Sequence, residues 1–386
     1  MSKERLAILG STGSIGEQTL DIVRRHSDRF AVDTLVAHSR WQRLAAQATE
    51  FGARSVVIGD EQYYTALSEA LRGSGIEVRA GSEAIREAAA SYRSDTIVNA
   101  LVGYAGLHPT LAAIQSGKRI ALANKETLVV GGDLVMAEAR RKSVDIVPID
   151  SEHSAIMQCL EGEHRHNIRN LIITCSGGAL RNTPIEELGS VTPEMALRHP
   201  QWQMGAKITI DSATLVNKGF EVIEARWLFD IEPQRIKVVI HPQSIVHSMV
   251  EFSDGAVKAQ LGSADMHTPI SYALLYPERA AEAFESFSIL DHPTLNFAAV
   301  DNAKYPALGI AYECLERGGT AACTMNGANE VAVAAFLAHK CGYLDIVKAI
   351  RYSLDNAGYT SCPTLSDYDD ANTEARNLAR RYLKID

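Results

Sequence analysis

The sequence predicts an α/β protein with three parts: an N-terminal doubly wound parallel sheet, a central α+β domain and a C-terminal helical bundle. Short apolar strands alternate with helical stretches at the start of the chain, which is the pattern of a parallel sheet with crossover helices. Strand and helix signals then mix, and the last part is rich in alanine and other helix formers. We expect boundaries at 1–150, 151–276 and 306–386, with an ordered linker over 277–305.

In the first part, each predicted strand is a short apolar run and each predicted helix repeats apolar residues at helical spacing. We expect strands at 6–9, 32–37, 55–58, 96–102 and 120–123, and helices at 19–25, 41–51 and 109–116. Parallel strands place their carboxyl ends at one edge of the sheet, where ligands bind in such folds. Residues that directly follow these strands are therefore candidates for ligand contacts.

In the later parts of the chain, strand and helix signals no longer alternate regularly. We expect strands at 171–174, 207–210, 237–240 and 245–252, and helices at 215–229, 330–338 and 370–383. The linker has weak periodicity and contains Pro277 and Pro293. No internal repeat or low-complexity tract is present in the sequence.

The composition excludes several classes of function. The chain has 386 residues and a formal net charge of −9, so it carries no basic excess for a nucleic-acid partner. Its 46% hydrophobic and 22% charged residues are those of a folded protein, not a disordered one. No run of about 18 apolar residues predicts a membrane span, and the first residues show no secretory or transit signal. The six cysteines are scattered and are expected to be reduced thiols, so we expect a cytoplasmic protein with no membrane partner.

A glycine-rich turn, GSTGSIG at 10–16, lies between the first predicted strand and helix. Glycines in this place let the backbone approach a pyrophosphate, and the helix N-terminus offers it unpaired N–H groups. Thr12 and Ser14 could add hydroxyl hydrogen bonds. The spacing is not the usual G-x-G-x-x-G, and a turn that needs glycine only for packing is the simpler alternative. The position at the first strand–helix turn favours a dinucleotide in a Rossmann-like sheet.

The end of the second predicted strand indicates which dinucleotide binds. Enzymes specific for NAD usually place an acidic residue there for the ribose hydroxyls. This strand is instead followed by His38, Ser39 and Arg40. Arg40 could equally be an ordinary solvated arginine, but the missing acid favours NADPH.

Two acidic residues, Asp150 and Glu152, follow the last strand-like segment of the first part. In an extended stretch they point to the same side, where their charges repel unless a cation intervenes. Carboxylate oxygens suit a hard divalent metal such as Mg²⁺ or Mn²⁺. A helix start with an acidic first turn is an equally good interpretation of this segment alone.

A second polar segment begins at Asp211. Ser212, Asn217 and Lys218 supply hydroxyl, amide and ammonium groups of the kind that bind a phosphate. Either Glu221 or Glu224 could complete a three-carboxylate metal site, and spacing does not choose between them. The alternative is a charged amphipathic helix with internal salt bridges.

Three further places offer groups for a ligand. Ser176 and two glycines follow a predicted strand and form another turn suited to an anion. The stretch from His199 to Gly205, which includes Trp202 and Met204, is typical of a mobile loop, although an ordinary loop with a buried tryptophan would look similar. Lys125 follows a strand of the first part and could neutralise or polarise a substrate oxygen.

Together these segments resemble the 1-deoxy-D-xylulose 5-phosphate reductoisomerase family over nearly the whole chain. The motifs DSEH and NKGFEVIEA in one chain are specific, whereas the glycine turn is not. The matching segments are GSTGSIG at 10–16, ALANKETLV at 121–129, PIDSEHSAI at 148–156, HPQWQMG at 199–205, DSATLVNKGFEVIEARWLF at 211–229, HPQSIVHSMVEF at 241–252 and MNGANEVAVAAFL at 325–337.

The resemblance implies an NADPH-binding domain over 1–150, a catalytic domain over 151–276 with a flap at 196–206, and a homodimer. It implies that Asp150, Glu152 and Glu221 hold a divalent metal (Mg²⁺, Mn²⁺ or Co²⁺). It also implies a catalytic set of Lys125, His199 and the three metal carboxylates. The implied substrate contacts are Lys125, Ser151, Glu152, Ser176, His199, Trp202, Met204, Ser212, Asn217, Lys218 and Glu221. The implied cofactor contacts are Thr12, Gly13, Ser14, Ile15, Asn124, Glu126 and Gly205, with His38, Ser39 and Arg40 where the family often has other residues.

The function implied is the rearrangement and NADPH-dependent reduction of 1-deoxy-D-xylulose 5-phosphate to 2-C-methyl-D-erythritol 4-phosphate. This reaction serves non-mevalonate isoprenoid precursor biosynthesis. Two alternatives are another NADP-linked reductase of a phosphorylated substrate and a non-catalytic NADPH-binding protein. A pure binding protein need not retain three carboxylates and Lys125.

Overall fold

The computed structural model describes residues 3–202, 204–281 and 284–386. Twelve strands lie within these ranges. They are β1 (Glu4–Leu9), β2 (Phe30–Ala37), β3 (Ser55–Ile58), β4 (Glu77–Ala80), β5 (Thr96–Asn99), β6 (Arg119–Leu122), β7 (Ile146–Pro148), β8 (Ile168–Cys175), β9 (Ile236–Ile240), β10 (Val246–Phe252), β11 (Val257–Leu261) and β12 (Ala298–Ala299).

Fifteen α-helices connect or follow these strands. They are α1 (Ser14–Arg25), α2 (Trp41–Phe51), α3 (Tyr64–Ala70), α4 (Gly81–Ala89), α5 (Leu107–Gln115), α6 (Glu126–Lys142), α7 (Ser151–Cys159), α8 (Pro193–Ala196), α9 (Ala206–Thr214), α10 (Val216–Phe229), α11 (His267–Leu275), α12 (Pro306–Arg317), α13 (Ala321–Leu337), α14 (Tyr343–Asn356) and α15 (Leu365–Leu383). Within the described ranges, every helix is too short or too polar to cross a lipid bilayer.

The chain divides into two compact units. Unit 1 contains residues 1–127, 135–150 and 266–284, and unit 2 contains residues 128–134, 151–265 and 285–386. Helix α6 contributes to both units, and its backbone leaves helical geometry at Gly131.

Unit 1 is built on a seven-stranded sheet in which every neighbouring pair is parallel. The order is β4-β3-β2-β1-β5-β6-β7, so the chain proceeds outward from β1 in one direction and returns to fill the other side. The change of direction falls between β1 and β5. Ligands bind outside the carboxyl ends of the strands at such a switch point, and the predicted doubly wound α/β sheet is confirmed.

Gly10 lies at this switch point, directly after β1. Its φ is +90°, and a Cβ placed on it would lie 2.4 Å from the carbonyl oxygen of Ala100, which follows β5. A Cβ on Gly16 would lie 2.3 Å from the carbonyl oxygen of Gly10. Only glycine fits both positions, so the close approach of the backbone segments requires the first and last glycines of GSTGSIG.

We expect Gly10→Ala to lower the free energy of unfolding by about 3 kcal/mol or more, because positive φ and a backbone overlap act together. Gly117→Ala is the matched control, since Gly117 has a φ of +71° but nothing within 4 Å of an added Cβ. The control should lose only about 1 kcal/mol. Urea unfolding measures the free energy of unfolding of both variants. Equal decreases in the two variants would show that the backbone overlap at Gly10 adds no destabilisation.

Unit 2 contains a mixed five-stranded sheet in the order β11-β10-β8-β9-β12, in which only β8 and β9 are parallel. Its main hydrophobic core joins α9 and α10 to the C-terminal helices, with Phe220 and Phe336 among the buried side chains. The central strand β8 ends at Cys175, so Ser176 begins the turn that follows it. Burial raises the pKa of the Cys175 thiol to about 11, so this cysteine stays protonated near neutral pH.

Three local predictions are wrong. The predicted strand at 207–210 lies in α9, because Ile210 is buried in the core of unit 2 and Thr209 Oγ1 donates back to the Gly205 carbonyl. The predicted strand at 96–102 ends at Asn99, whose side-chain oxygen accepts the Leu101 N–H. Residues 150–152 are not extended, because α7 begins at Ser151.

The two units also divide the chain differently from the predicted segments. Helix α11, assigned from the sequence to the central domain, lies in unit 1, where its apolar face contacts α1, β6 and β7. The central and C-terminal segments form one unit because they share a core. The predicted linker at 277–305 includes β12, which pairs with β9.

Candidate active site

Lys125 and Asp150 form a buried ion pair in unit 1. Lys125 lies just beyond β6 and Asp150 just beyond β7, and these neighbouring parallel strands end at the same edge of the sheet. The Lys125 Nζ lies 2.5 Å from an Asp150 carboxylate oxygen, and each side chain is less than a tenth exposed. Sheet topology thus brings together two residues that the sequence placed in different segments.

The glycine turn presents the predicted cofactor residues at the start of α1. Gly13 caps this helix through an extended backbone, and Ser14 is its first residue. Thr12 is buried, whereas Gly13 and Ser14 are partly or fully exposed, as a ligand contact requires. Ile15 completes the set of four consecutive candidates. The helix N-terminus and the glycine cradle together fit a pyrophosphate group.

His38, Ser39 and Arg40 are the candidates to bind the 2′-phosphate that distinguishes NADPH from NADH. They follow β2, the strand that pairs with β1. His38 and Arg40 are exposed and Ser39 is half-buried, so all three lie at the carboxyl edge beside the glycine turn. No acidic residue stands among them. This edge of unit 1 therefore fits a phosphorylated ribose better than one with two free hydroxyls.

Asn124 and Glu126 lie at the same edge but are already bonded within the protein. The Asn124 amide donates to the carbonyls of Leu101 and Gly103 and to the Glu126 carboxylate, and its oxygen accepts from Thr127. Both side chains are buried. They hold the loops after β5 and β6 in place, which is a role that the sequence did not indicate.

Unit 2 contains a cluster of two carboxylates and one ammonium. Glu152, in the first turn of α7, and Glu221, on α10, bring carboxylate oxygens within 4.8 Å of each other. The Lys218 Nζ lies 2.8 Å from Glu152 and also bonds Glu221, which accepts a further hydrogen bond from Asn217 at 2.5 Å. Ser151 Oγ donates to Glu152 at 2.6 Å.

Charge compensation holds this cluster together. Burial lowers the pKa of Lys218, but the neighbouring carboxylates of Glu152 and Glu221 raise it more, so its pKa lies above the usual range. The predicted phosphate ligand Lys218 thus neutralises the predicted metal ligands in this structure. Two carboxylates this close, one buried and one half-buried, favour a cation beside them, and a divalent ion bound by oxygen atoms fits the same donor set.

Ser176 and His199 form a second polar group in unit 2. His199 Nδ1 accepts the backbone N–H of Trp202 at 2.9 Å, so the ring proton lies on Nε2, which donates to Ser176 Oγ at 2.9 Å. Ser176 Oγ also accepts the Gly178 N–H at 3.0 Å. The hydroxyl proton of Ser176 is therefore left to donate to a ligand oxygen.

We expect the His199 ring to stay neutral, with its proton on Nε2, down to about pH 5. Burial and, to a smaller extent, the charge of Arg181 lower its pKa from 6.5 to about 4. Nitrogen-15 NMR of the imidazole reports both the tautomer and the titration. A ring that titrates near 6.5, or that carries its proton on Nδ1, would contradict the hydrogen bonds described.

The predicted flap at 196–206 is described except for Gln203, which lies outside the described residues. Trp202 and Met204 are half-buried, and the Trp202 ring centroid lies 6.1 Å from that of His247. Gly205 is the residue that precedes α9, and it belongs to unit 2.

Ser212 is half-buried near the end of α9. Its backbone is approached closely by Gly178, because a Cβ on Gly178 would lie 2.6 Å from the Ser212 carbonyl oxygen. The turn that contains Ser176 is thus packed against the helix that contains Ser212. These two predicted phosphate contacts come from segments far apart in the sequence.

Three residues near these groups, Arg181, His247 and His153, were not singled out from the sequence, and Glu224 was considered only as the alternative to Glu221. Arg181 donates to the Ser176 carbonyl at 2.6 Å, and burial lowers the pKa of His247, which faces Trp202. His153 and Glu224 form a buried pair on α7 and α10. DSEH and HPQSIVHSMVEF contain both histidines, but a motif does not say which of its side chains point toward a site.

The sheet of unit 1 and the acidic cluster of unit 2 define the class of protein: an oxidoreductase with a dinucleotide-binding sheet and a catalytic unit that carries carboxylates. Sequence profiles for 1-deoxy-D-xylulose 5-phosphate reductoisomerase and its C-terminal domain match residues 6–132 and 146–229. A third profile, for the DXP reductoisomerase C-terminal domain, matches 261–378. The chain belongs to the 1-deoxy-D-xylulose 5-phosphate reductoisomerase family.

Individual relatives agree over the full length. A protein of that name from Prosthecochloris aestuarii is 52% identical over 374 residues, which are 97% of this chain and 98% of the relative. The reductoisomerase of Zymomonas mobilis in complex with NADPH is 43% identical with a TM-score of 0.92, covering 99% of this chain and all of the other. A DOX-P reductoisomerase in complex with NADPH, fosmidomycin and magnesium is 39% identical with a TM-score of 0.95, covering 99% and 98%.

Proposed function

We propose that this chain is an NADPH- and divalent-metal-dependent reductoisomerase. It rearranges and reduces 1-deoxy-D-xylulose 5-phosphate to 2-C-methyl-D-erythritol 4-phosphate, a step of non-mevalonate isoprenoid precursor biosynthesis. The observation that carries this conclusion is full-length membership of the family. The glycine turn at the switch point of unit 1 and the carboxylates of unit 2 support it.

We infer that Asp150, Glu152 and Glu221 hold the divalent metal, and the same three carboxylates suit Mg²⁺, Mn²⁺ and Co²⁺. Asp150 directly precedes the helix that carries Glu152, so the chain itself keeps the two close. Glu221 is favoured over Glu224 because Glu221 belongs to the Lys218 cluster, whereas Glu224 pairs with His153. The bound cation supplies Lewis-acid polarisation of neighbouring substrate oxygens.

The substrate phosphate is proposed to bind Ser176, Ser212, Asn217 and Lys218. His199 is proposed to orient the Ser176 hydroxyl through its hydrogen bond. The Ser176 hydroxyl proton is available, since its oxygen accepts two other hydrogen bonds. The Lys218 ammonium contacts the carboxylate oxygens of Glu152 and Glu221, which are the atoms that would coordinate the metal. We infer that Lys218 exchanges these carboxylates for the phosphate, so that phosphate binding and metal binding favour each other.

The remaining polar residues are given roles at the reacting carbons. Lys125 is proposed to contact the substrate near the reacting centre, and Ser151 to donate to a substrate oxygen beside Glu152. Trp202 and Met204 are proposed to cover the substrate and exclude water when the flap closes. Remote binding of the phosphate would then be used to orient the reacting carbons.

The cofactor is proposed to lie along the carboxyl edge of unit 1. Thr12, Gly13, Ser14 and Ile15 would bind its pyrophosphate, and His38, Ser39 and Arg40 its 2′-phosphate. Asn124 and Glu126 shape the edge through their own hydrogen bonds, and Gly205 is proposed as a contact from unit 2.

We also propose a homodimer in the cytoplasm, with no nucleic-acid or membrane partner. All six cysteines are free thiols in the structure, as expected in a reducing compartment. The net charge of −9 is unsuited to nucleic acid. Sedimentation of the purified chain tests the dimer.

The activity is tested by following NADPH absorbance with 1-deoxy-D-xylulose 5-phosphate, with and without Mg²⁺ or Mn²⁺. We expect oxidation of NADPH only when substrate and metal are both present. A folded chain that binds NADPH but leaves it unoxidised under these conditions would contradict the proposed reaction.

A further inference from the structure

A buried histidine–glutamate pair connects the two helices that carry the acidic cluster of unit 2. His153, on α7, places its Nδ1 atom 3.2 Å from a carboxylate oxygen of Glu224, on α10. Its other ring nitrogen, Nε2, lies 2.9 Å from the backbone carbonyl oxygen of Glu221. The side chains of the pair are at most 1% exposed.

These two contacts fix the orientation of the His153 ring. A carbonyl oxygen only accepts, so Nε2 carries a proton and donates it to Glu221. The other ring nitrogen, Nδ1, faces the Glu224 carboxylate. Phe229 stacks on the ring, with the two ring centroids 6.3 Å apart. The ring is held on both edges and one face, which leaves it a single position between the helices.

Each partner of the pair lies near a proposed metal ligand in the chain, since Glu224 follows Glu221 by three residues on α10. His153 is the next residue after Glu152, and it bonds the backbone of Glu221 itself. A shift of the ring would therefore move the main chain of both carboxylates. We propose that His153 and Glu224 are positioning residues, which set the separation of the Glu152 and Glu221 carboxylates for a divalent cation.

General energetics favour this role over a purely structural one. A buried charged or polar pair seldom stabilises a fold more than apolar side chains of equal size would. Hydrogen bonds of fixed direction do, however, orient the ligands of a metal, and losing such a contact typically weakens metal binding by about 10–100-fold. The proposal rests on the proposed function, because it assumes that Glu152 and Glu221 bind the metal.

The test is the affinity for Mn²⁺, measured from the electron paramagnetic resonance signal of the free ion. Glu224→Ala is expected to weaken Mn²⁺ binding by about 10–100-fold. Glu224→Gln keeps a polar side chain of the same shape that can still form a hydrogen bond with Nδ1, so it should recover part of the lost affinity. NADPH affinity should stay unchanged in both variants, since the cofactor candidates lie mainly in unit 1.

Tyr312→Phe is the matched control. It removes one polar contact of unit 2, the hydrogen bond from the Tyr312 hydroxyl to the Ile236 carbonyl at 2.7 Å, which involves neither α7 nor α10. Its Mn²⁺ affinity should equal that of the unsubstituted chain, even if its melting temperature falls. Should Glu224→Ala prove unfolded, Glu224→Gln alone decides the matter, with an expected loss of several-fold.

Two results would overturn the proposal, and they are distinguishable. If the unsubstituted chain binds Mn²⁺ and both Glu224 variants bind it within two-fold of that affinity, the positioning role is wrong and the proposed metal site stands. If the unsubstituted chain binds no Mn²⁺, the metal site of the proposed function fails, and the positioning role fails with it.

Discussion

Glu221→Gln is expected to reduce turnover by at least about 10³-fold, the scale of several kcal/mol of lost charge stabilisation. The substitution keeps the shape of the side chain and its hydrogen bond to Asn217 but removes the charge that a cation needs. It also leaves Lys218 with only one carboxylate, Glu152. NADPH affinity should be nearly unchanged, because the glycine turn belongs to unit 1.

The matched control is Glu316→Gln, an exposed glutamate at the end of α12 in the same unit. It should turn over at the rate of the unsubstituted chain. Steady-state rates at saturating substrate and rising Mg²⁺ separate weak metal binding from lost chemistry. Near-normal turnover of Glu221→Gln at high Mg²⁺ would remove Glu221 from the metal site.

Lys125→Met is expected to lose turnover to a similar degree and also to destabilise unit 1. Asp150 would be left as a buried carboxylate without its ammonium partner, which typically costs about 3–5 kcal/mol. If Asp150 is a metal ligand, Mg²⁺ replaces the missing positive charge. The melting temperature of Lys125→Met should therefore rise with Mg²⁺ more than that of the unsubstituted chain, while turnover stays low.

Lys142→Met is the control and should change neither property, because Lys142 is exposed at the C-terminal end of α6, the helix that Lys125 precedes. Thermal unfolding with and without Mg²⁺ makes the comparison. If Mg²⁺ stabilises Lys125→Met no more than the unsubstituted chain, Asp150 does not bind the metal. If turnover is preserved, Lys125 has no role at the reacting centre.

The sequence predicts best where one local pattern decides the structure. The first strand, glycine turn and helix follow from apolar runs and from glycines that no other residue could replace, as Gly10 shows. The meeting of Lys125 and Asp150 follows from parallel topology, since both come directly after neighbouring strands. The family resemblance supplied the choice of Glu221 over Glu224, which spacing alone left open.

The sequence predicts poorly where tertiary packing decides. Residues 207–210 alternate polar and apolar side chains as a strand does, yet burial of Ile210 in the core of unit 2 selects the helix. The prediction that residues 150–152 are extended is wrong, because α7 begins at Ser151. The alternative interpretation of this segment, a helix start with an acidic first turn, matches the structure. The His153–Glu224 pair links segments far apart in the sequence, so no local pattern reveals it.

The chemistry itself is tested most directly by the carbon skeleton of the product. The chain is incubated with uniformly carbon-13-labelled 1-deoxy-D-xylulose 5-phosphate, NADPH and Mg²⁺, and carbon–carbon couplings are measured by NMR. We predict an oxygen-bearing carbon bonded to three other carbons, as in 2-C-methyl-D-erythritol 4-phosphate. An unbranched polyol phosphate would contradict the rearrangement and would identify the chain as a simple NADPH-dependent reductase of a phosphorylated substrate.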